Sequence, residues 1–356
     1  MAIGLSQLIG EAISTGTEPE LHRSIEMILT TATFRSLDLT TEIFENAGAS
    51  ILSGGNHIAP SKTIKLLQDF HVNVLTGDGS QVVQVVHHIS KLPPVEKEKI
   101  KINKIIYTSE ALTAGQKAHI YEVLGSVKLC SIIGSSEAGP YGLNSPDLIP
   151  IDPSANHTDF IIDTRMMFLE IFPLSSAEDD DIPTPLPEGQ TGAIVQTSLT
   201  RLRNPLVRYI SGDIGSLHPL PDQARAVIPE TEWQYMRLLR VEGRDTRFDF
   251  PWDGAYWEFG RLSAAMADPK LGVLQWQIIL DKMGLSSEVM LDLRILCSQS
   301  SKQPSSRQAV VDLLKGFFCI DSANQHRFRP IFVDNLSGFE VSETGRKVIK
   351  FLDRST

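Results

Sequence analysis

Between residues 72 and 133 the chain alternates short apolar runs with segments of helical period, and that rhythm leaves few folds open. Residues 72–76 and 104–107 are β-branched, apolar and bounded by turn residues, as strands buried on both faces are. Between them Val82, Val85, Val86 and Ile89 recur at helical spacing, which predicts a helix over 81–91. Thr113 followed by Gln116 has the spacing of a capping box and predicts a helix running to Leu124. A third apolar run, 127–133, stops at Gly134. Strand–helix–strand repetition of this kind predicts a mostly parallel α/β sheet covered by helices.

Beyond residue 150 the pattern changes. Residues 174–188 are acidic and proline-rich and predict an exposed loop. Short strands are expected at 192–197, 206–210 and 237–241. After Gly243, strands at 274–280, 289–296 and 327–333 with a helix at 307–318 predict a small α+β unit, interrupted by a polar loop at 298–306. A length of 356 residues supports two domains, and no internal repeat is present.

Charge and composition exclude several classes of function. A net charge of −10 argues against nucleic acid, whose phosphates are held by clustered Lys and Arg. The cysteines, Cys130, Cys297 and Cys319, are odd in number and widely spaced, which fits a reducing compartment and gives no zinc pattern. No apolar run reaches membrane-spanning length. The first residues lack a basic region and carry Glu11 within their apolar stretch, so a cytoplasmic protein is expected, with no membrane partner. His87 and His88 are adjacent, point apart on a helix and are expected at the surface. Gly77-Asp78-Gly79 lacks the third glycine of a dinucleotide loop, and residues 134–138 end in Ala138 where a hydrolase elbow needs glycine.

Six segments recur in an order that matters. They are Tyr107-Thr108-Ser109-Glu110-Ala111-Leu112, Ile133-Gly134-Ser135-Ser136-Glu137-Ala138-Gly139, a strand from Gly189-Gln190-Thr191-Gly192 to Thr200, Pro205 to Asp213, Glu242-Gly243-Arg244-Asp245, and Thr344-Gly345-Arg346-Lys347-Val348. With Ser53-Gly54-Gly55-Asn56 and the continuation of the last segment to Phe351, they span residues 53 to 351. In this order they resemble the adenylate-forming (AMP-binding) superfamily, on its phenylacetate–CoA ligase side. The resemblance implies the adenylate-forming enzyme fold: a shortened AMP-binding domain over 1–243, α/β to about 150 and β-rich over 151–243, then a small α+β domain over 244–356.

It also implies an activity: ATP activates a carboxylic acid, aryl or phenylacetate-like by the resemblance, as an acyl-adenylate, and coenzyme A or another thiol takes the acyl group. Glu137 then holds Mg²⁺, which prefers few carboxylates together with phosphate oxygens. Ser109, Glu110 and Ala111 line the adenine side, while Gly134, Ser135 and Ser136 face the phosphate. Asp213 accepts the ribose hydroxyls, and Arg244 contacts ribose or phosphate. Lys347, with Glu137, is the catalytic residue, its ammonium stabilising charge between carboxylate and α-phosphate. Nothing here bears on oligomeric state.

The sequence also departs from the family pattern. The only candidate phosphate loop, Ser14-Thr15-Gly16-Thr17-Glu18-Pro19, lacks a lysine and places Glu18 where it repels phosphates; a capped helix start is the alternative reading. Thr108-Ser109 stands in place of two glycines, and Arg346 competes with Lys347 as the mobile cation. The family's opening helices have no counterpart before residue 20, so either an N-terminally shortened member or a sequence from an incomplete gene model is expected. A non-catalytic descendant and an adenylate-dependent ester or amide synthetase therefore stay open as rivals.

Overall fold

Parallel strands carry the first half of the computed structural model, which describes residues 27–30, 34–55, 57–152, 155, 157–174, 184–244, 249–283, 288–298, 307–343 and 347–355. They are β1 (Met27–Thr30), β2 (Ser50–Ser53), β3 (Val74–Asp78), β4 (Lys104–Thr108) and β5 (Lys128–Ser135), arranged β2-β1-β3-β4-β5. Their crossovers are α1 (Phe34–Asn46), α2 (Pro60–Asp69), α3 (Gly79–Ser90) and α4 (Ala114–Leu124). Side chains alternate along these strands. Leu29, Leu75, Ile105 and Leu129 face α2–α4, while Ile28, Val74, Ile106 and Cys130 pack against the other layer with Phe44. Burial on both faces explains why the strands read as continuous apolar runs. The strand expected at 72–76 lies two residues later, which carries Asp78 to its tip.

The sheet continues antiparallel through β6 (Gly139–Asn144), β7 (Thr158–Asp163), β11 (Met236–Arg244), β10 (Tyr209–His218), β9 (Gly192–Ser198) and β8 (Met167–Phe172). Laid flat, β9 would stand five strand spacings from β5, about 24 Å. Instead the Gln196 amide on β9 reaches the Ser135 hydroxyl on β5 at 3.5 Å, so this half curls back on itself. Tyr141, Phe160, Ile171, Ile194 and Leu239 fill the resulting core. Two sequence expectations need correction here. The strand expected at 206–210 begins only at Tyr209, with Val207 exposed in the loop before it. Asp213, beyond the end of that expected strand, also lies within β10, beside a bulge between Ile210 and Ile214.

A separate C-terminal sheet has the order β16-β15-β14-β17, from β14 (Val273–Lys282), β15 (Val289–Cys297), β16 (Phe328–Phe332) and β17 (Phe351–Arg354). Beside it stand α5 (Phe259–Met266), α6 (Arg307–Phe317) and a hairpin, β12 (Asp249–Trp252) with β13 (Ala255–Glu258). The hairpin turns on Asp253 and Gly254, both at positive φ, as a two-residue turn between twisted strands demands. Phe250, Trp252, Phe259, Leu314 and Phe318 centre this unit's core. Leu274, Leu296, Phe339 and Val348 instead join the α3–α4 side of the large sheet, so the unit docks there. Residues 175–183, 299–306 and 14–19, where loops were expected, lie outside the described residues.

Candidate active site

All five parallel strands end along one edge. The chain leaves β1 for β2 on one side and returns to β3 on the other, so a topological switch point falls between β1 and β3; open α/β sheets hold ligands outside such points. Here the β3 and β4 tips touch. The Ser109 hydroxyl donates to Asp78 Oδ1 at 2.6 Å, and a Cβ on Gly79 would lie 2.8 Å from the Glu110 carbonyl oxygen. Ser109 takes φ 74°, the left-handed conformation that glycine adopts freely, which fits the expectation of a glycine at this position. Ala111 is exposed beside it, and Thr113 and Gln116 close the expected capping box at 3.2 and 2.8 Å.

The β5–β6 turn carries the next group. The Ala138 amide donates to the Ser135 hydroxyl at 3.1 Å. A Cβ on Gly134 would stand 2.8 Å from both the Gly139 carbonyl oxygen and Pro140 Cα, so only glycine fits. Arg201 Nη1 donates to the carbonyls of Ser136 and Glu137 at 2.9 and 2.7 Å, an arginine clamp from across the curled sheet. The Glu137 carboxylate is half-buried and takes no partner among the described residues. One free carboxylate at a strand tip suits Mg²⁺, which needs few protein ligands when phosphate supplies the rest. No cluster of three His, Cys, Asp or Glu side chains forms among the described residues.

Asp213 and Arg244 meet. They face each other across β10 and β11, with Nη1 of Arg244 donating to Asp213 Oδ1 at 3.3 Å and to the Ser211 carbonyl at 2.8 Å. The Asp213 amide donates to the Ser211 hydroxyl at 3.1 Å, and Gly212 at φ 78° allows the bulge. Glu242, Gly243 and Arg244 belong to β11; Asp245, the last residue of that segment, lies outside the described residues. Tyr141, buried on β6, feels the charge of this group. Burial first, then the Asp213 charge, hold its hydroxyl well above its ordinary pKa. Arg208 is spent on the fold, donating to Glu170 from Nε and Nη2 at 2.9 and 2.7 Å.

In the tail, Ser342 and Lys347 pair beside the Val341–Val348 bridge. The Ser342 amide donates to the Lys347 carbonyl at 2.8 Å, and the Lys347 amide to the Ser342 hydroxyl at 3.2 Å. Neighbouring Val348 is buried in the α3–α4 core, so Lys347 stands at the seam between the units. Thr344, Gly345 and Arg346 lie outside the described residues, as does Asn56.

Sequence reasoning missed Lys350, whose ammonium donates to Gln275 Oε1 and to the Trp276 carbonyl. Burial pushes it down to about 8, against the pull of the Glu110 carboxylate across the seam. His87 is not a surface residue. It is 3% exposed, with its ring 5.6 Å from that of His119, and burial with nearby Lys91 lowers it to about 4. Tyr141, Gln196 and Arg201 were missed too, because only the curl of the sheet brings them to the site.

No family model matches the chain. A curated relative, the phenylacetate–coenzyme A ligase of Thermus thermophilus, is 28% identical over 163 residues, 46% of this chain and 33% of the relative. The chain thus spans about a third of the length of that relative. Among solved structures, 2-hydroxyisobutyryl-CoA ligase with a bound adenylate superposes with a TM-score of 0.63 at 15% identity, covering 98% of this chain and 69% of that one. An anthranilate–CoA ligase with anthranoyl-AMP gives 0.54 at 14% identity, covering 96% and 60%. ATP-bound MatB from Rhodopseudomonas palustris gives 0.51 at 14% identity, covering 90% and 58%. The chain therefore has the fold of the adenylate-forming CoA ligases, and over somewhat less than half its length it resembles phenylacetate–coenzyme A ligase in sequence.

Proposed function

We propose that the chain catalyses ATP-dependent activation of a carboxylic acid, an aryl or phenylacetate-like one being the first choice, followed by transfer to coenzyme A or another thiol. The observation that carries this reading is the meeting of Asp213 with Arg244 at a bulge in β10, a strand that Gln196, paired with Tyr209, joins to the Ser135–Glu137 turn. An ionised Asp is suited to accept two ribose hydroxyls, and Ser135 and Ser136 to donate to an α-phosphate. Glu137 would hold Mg²⁺, which supplies charge neutralisation on the phosphates when bound.

An acid carboxylate oxygen attacks the α-phosphorus; the bond to the pyrophosphate oxygen breaks and pyrophosphate leaves. Lys347 places an ammonium where negative charge gathers between the two anions. A thiolate then attacks the acyl carbon and AMP departs with its bonding pair. The docked C-terminal unit, expected over 244–356 but beginning after Arg244, which β11 keeps in the large sheet, closes over the strand tips for the first step and shifts for the second.

Acid-dependent ATP–pyrophosphate exchange tests this directly. We expect exchange with at least one aryl acid, lost in Lys347→Ala and in Asp213→Ala. Absence of exchange with every acid, together with no ATP binding by calorimetry, would leave a non-catalytic protein of this fold. Loss in Arg346→Ala but not in Lys347→Ala would move the cation by one residue.

A further inference from the structure

Two neighbouring helices begin with the same sequence device, and only one of them uses it. Thr113-x-x-Gln116 opens α4 as a closed capping box, each side chain bonded to the other residue's backbone. Asp78-x-x-Gln81 opens α3 with the equivalent spacing, yet Asp78 makes no side-chain cap hydrogen bond. Its Oδ1 is turned towards the Ser109 hydroxyl at 2.6 Å. What remains is a set of polar atoms without partners: Asp78 Oδ2, Ser80 Oγ and Gln81 Oε1. These residues are only 4%, 4% and 9% exposed.

Buried polar groups are almost always hydrogen-bonded, so three orphans within one helical turn call for a cause. Two of them, the carboxylate and the amide oxygen, can only accept while the carboxyl is ionised; the serine hydroxyl can do either. They lie at the β3 tip, at the switch point between β1 and β3, against the Ser109–Glu110 loop. The first amides of a helix also lack partners within it. A group that donates one or two hydrogen bonds, and can accept one, completes the set.

We propose that this open capping box is a specificity site for the acid substrate, and that the acid carries a hydrogen-bond-donating substituent, a hydroxyl or an amine. The inference rests on the acid-activation reading above. The substituent donates to Asp78 Oδ2 and Gln81 Oε1, and Ser80 donates to it or accepts from it. An acid with a methyl group at that position leaves all three oxygens buried and unpaired, the kind of loss that gives polar sites their large discrimination.

Matched sets of phenylacetates bearing hydrogen, methyl, hydroxyl or amino substituents separate the outcomes, read both by pyrophosphate exchange and by ligand-observed NMR binding. Wild type is expected to favour a hydroxyl or amino acid over its methyl counterpart by about 100-fold in specificity. The hydroxyl and amino arms say which donor is taken. Gln81→Leu and Ser80→Ala should narrow that gap at least tenfold. Because they remove orphaned polar atoms, they should also leave the melting temperature of the unliganded protein unchanged or raised. Donor-selective binding that Gln81→Leu abolishes would uphold the site even if no acid supports exchange, which would sink only the ligase reading. Equal binding of methyl and donor-bearing acids, or a melting temperature lowered by Gln81→Leu with selectivity intact, would overturn it and leave a water-filled turn.

Discussion

On the antiparallel side of the large sheet, Asp213 is held by Arg244 and by Ser211, Glu137 has its carbonyl clamped by Arg201, and Arg208 is paired with Glu170. On the parallel side, Asp78, Ser80 and Gln81 are buried with unpartnered atoms. The curl joins the antiparallel half to the β5 tip through Gln196 and Ser135, but the two regions differ in how finished they are. Groups arranged before a ligand arrives need no reorganisation when it binds, which suits the invariant part of a reaction. Groups left unpaired cost stability until something fills them, and so they discriminate between ligands. Under the proposals above, ribose and phosphate handling falls to the curled half, while the β3 tip, beside the loop expected on the adenine side, takes part in the choice of acid.

Four changes would break or sharpen that contrast. The largest effect is expected from Asp213→Ala, which should lower pyrophosphate exchange by about 10²–10³-fold, a loss of about 2.7–4 kcal/mol. Stability should barely move, since Arg244 is 68% exposed and keeps its bond to the Ser211 carbonyl. A large drop in melting temperature would instead make the pair structural.

The second concerns the seam. His87 titrates near 4 in the folded chain against an ordinary 6.5, so it is buried neutral. The unfolded chain takes up the proton first as pH falls. Stability is therefore full above about pH 6.5 and declines as pH drops towards 4, by at most about 3 kcal/mol. Lys91, His88 and His119 add to this, while the Asp334 carbonyl, which also accepts from Lys91 Nζ at 3.2 Å, opposes it. Urea midpoints measured across that window should flatten in His87→Phe; an unchanged slope would place the titration elsewhere.

Third, Gly134→Ala forces a Cβ to within 2.8 Å of the Gly139 carbonyl and Pro140. Overpacking of this kind costs about 1–3 kcal/mol and should displace the Ser135–Glu137 turn. Melting temperature and exchange should fall together, and loss of one alone would uncouple the turn from the site. Smallest is Glu170→Gln. It weakens the pairing with Arg208, but that arginine is 42% exposed, so about 1 kcal/mol is expected, with exchange nearly intact.

Much of the parallel half was legible. The apolar runs marked β3–β5, and Thr113 with Gln116 marked the start of α4. The ordered motifs were readable because short segments at strand tips keep their residue types together. What failed was whatever depends on the third dimension. Two adjacent histidines on a helix cannot say which faces α4, and His87 proved buried there. A Gly-Asp pair reads as a turn until its strand partners show a bulge. Arg201 and Gln196 lie more than 60 residues from the turn they hold, beyond any local pattern. Asp78-x-x-Gln81 has the pattern of a capping box, and only the position of Ser109 leaves it open.

A crystal structure of the protein soaked with AMP puts the claim most directly to the test. Strand tips distant in sequence should converge on the nucleotide, with both ribose hydroxyls about 2.7 Å from the Asp213 carboxylate and the phosphate beside Ser135 and Ser136. AMP bound away from the edge shared by residues 135–137, 213 and 244, or those side chains turned into separate solvent regions around it, would contradict the account.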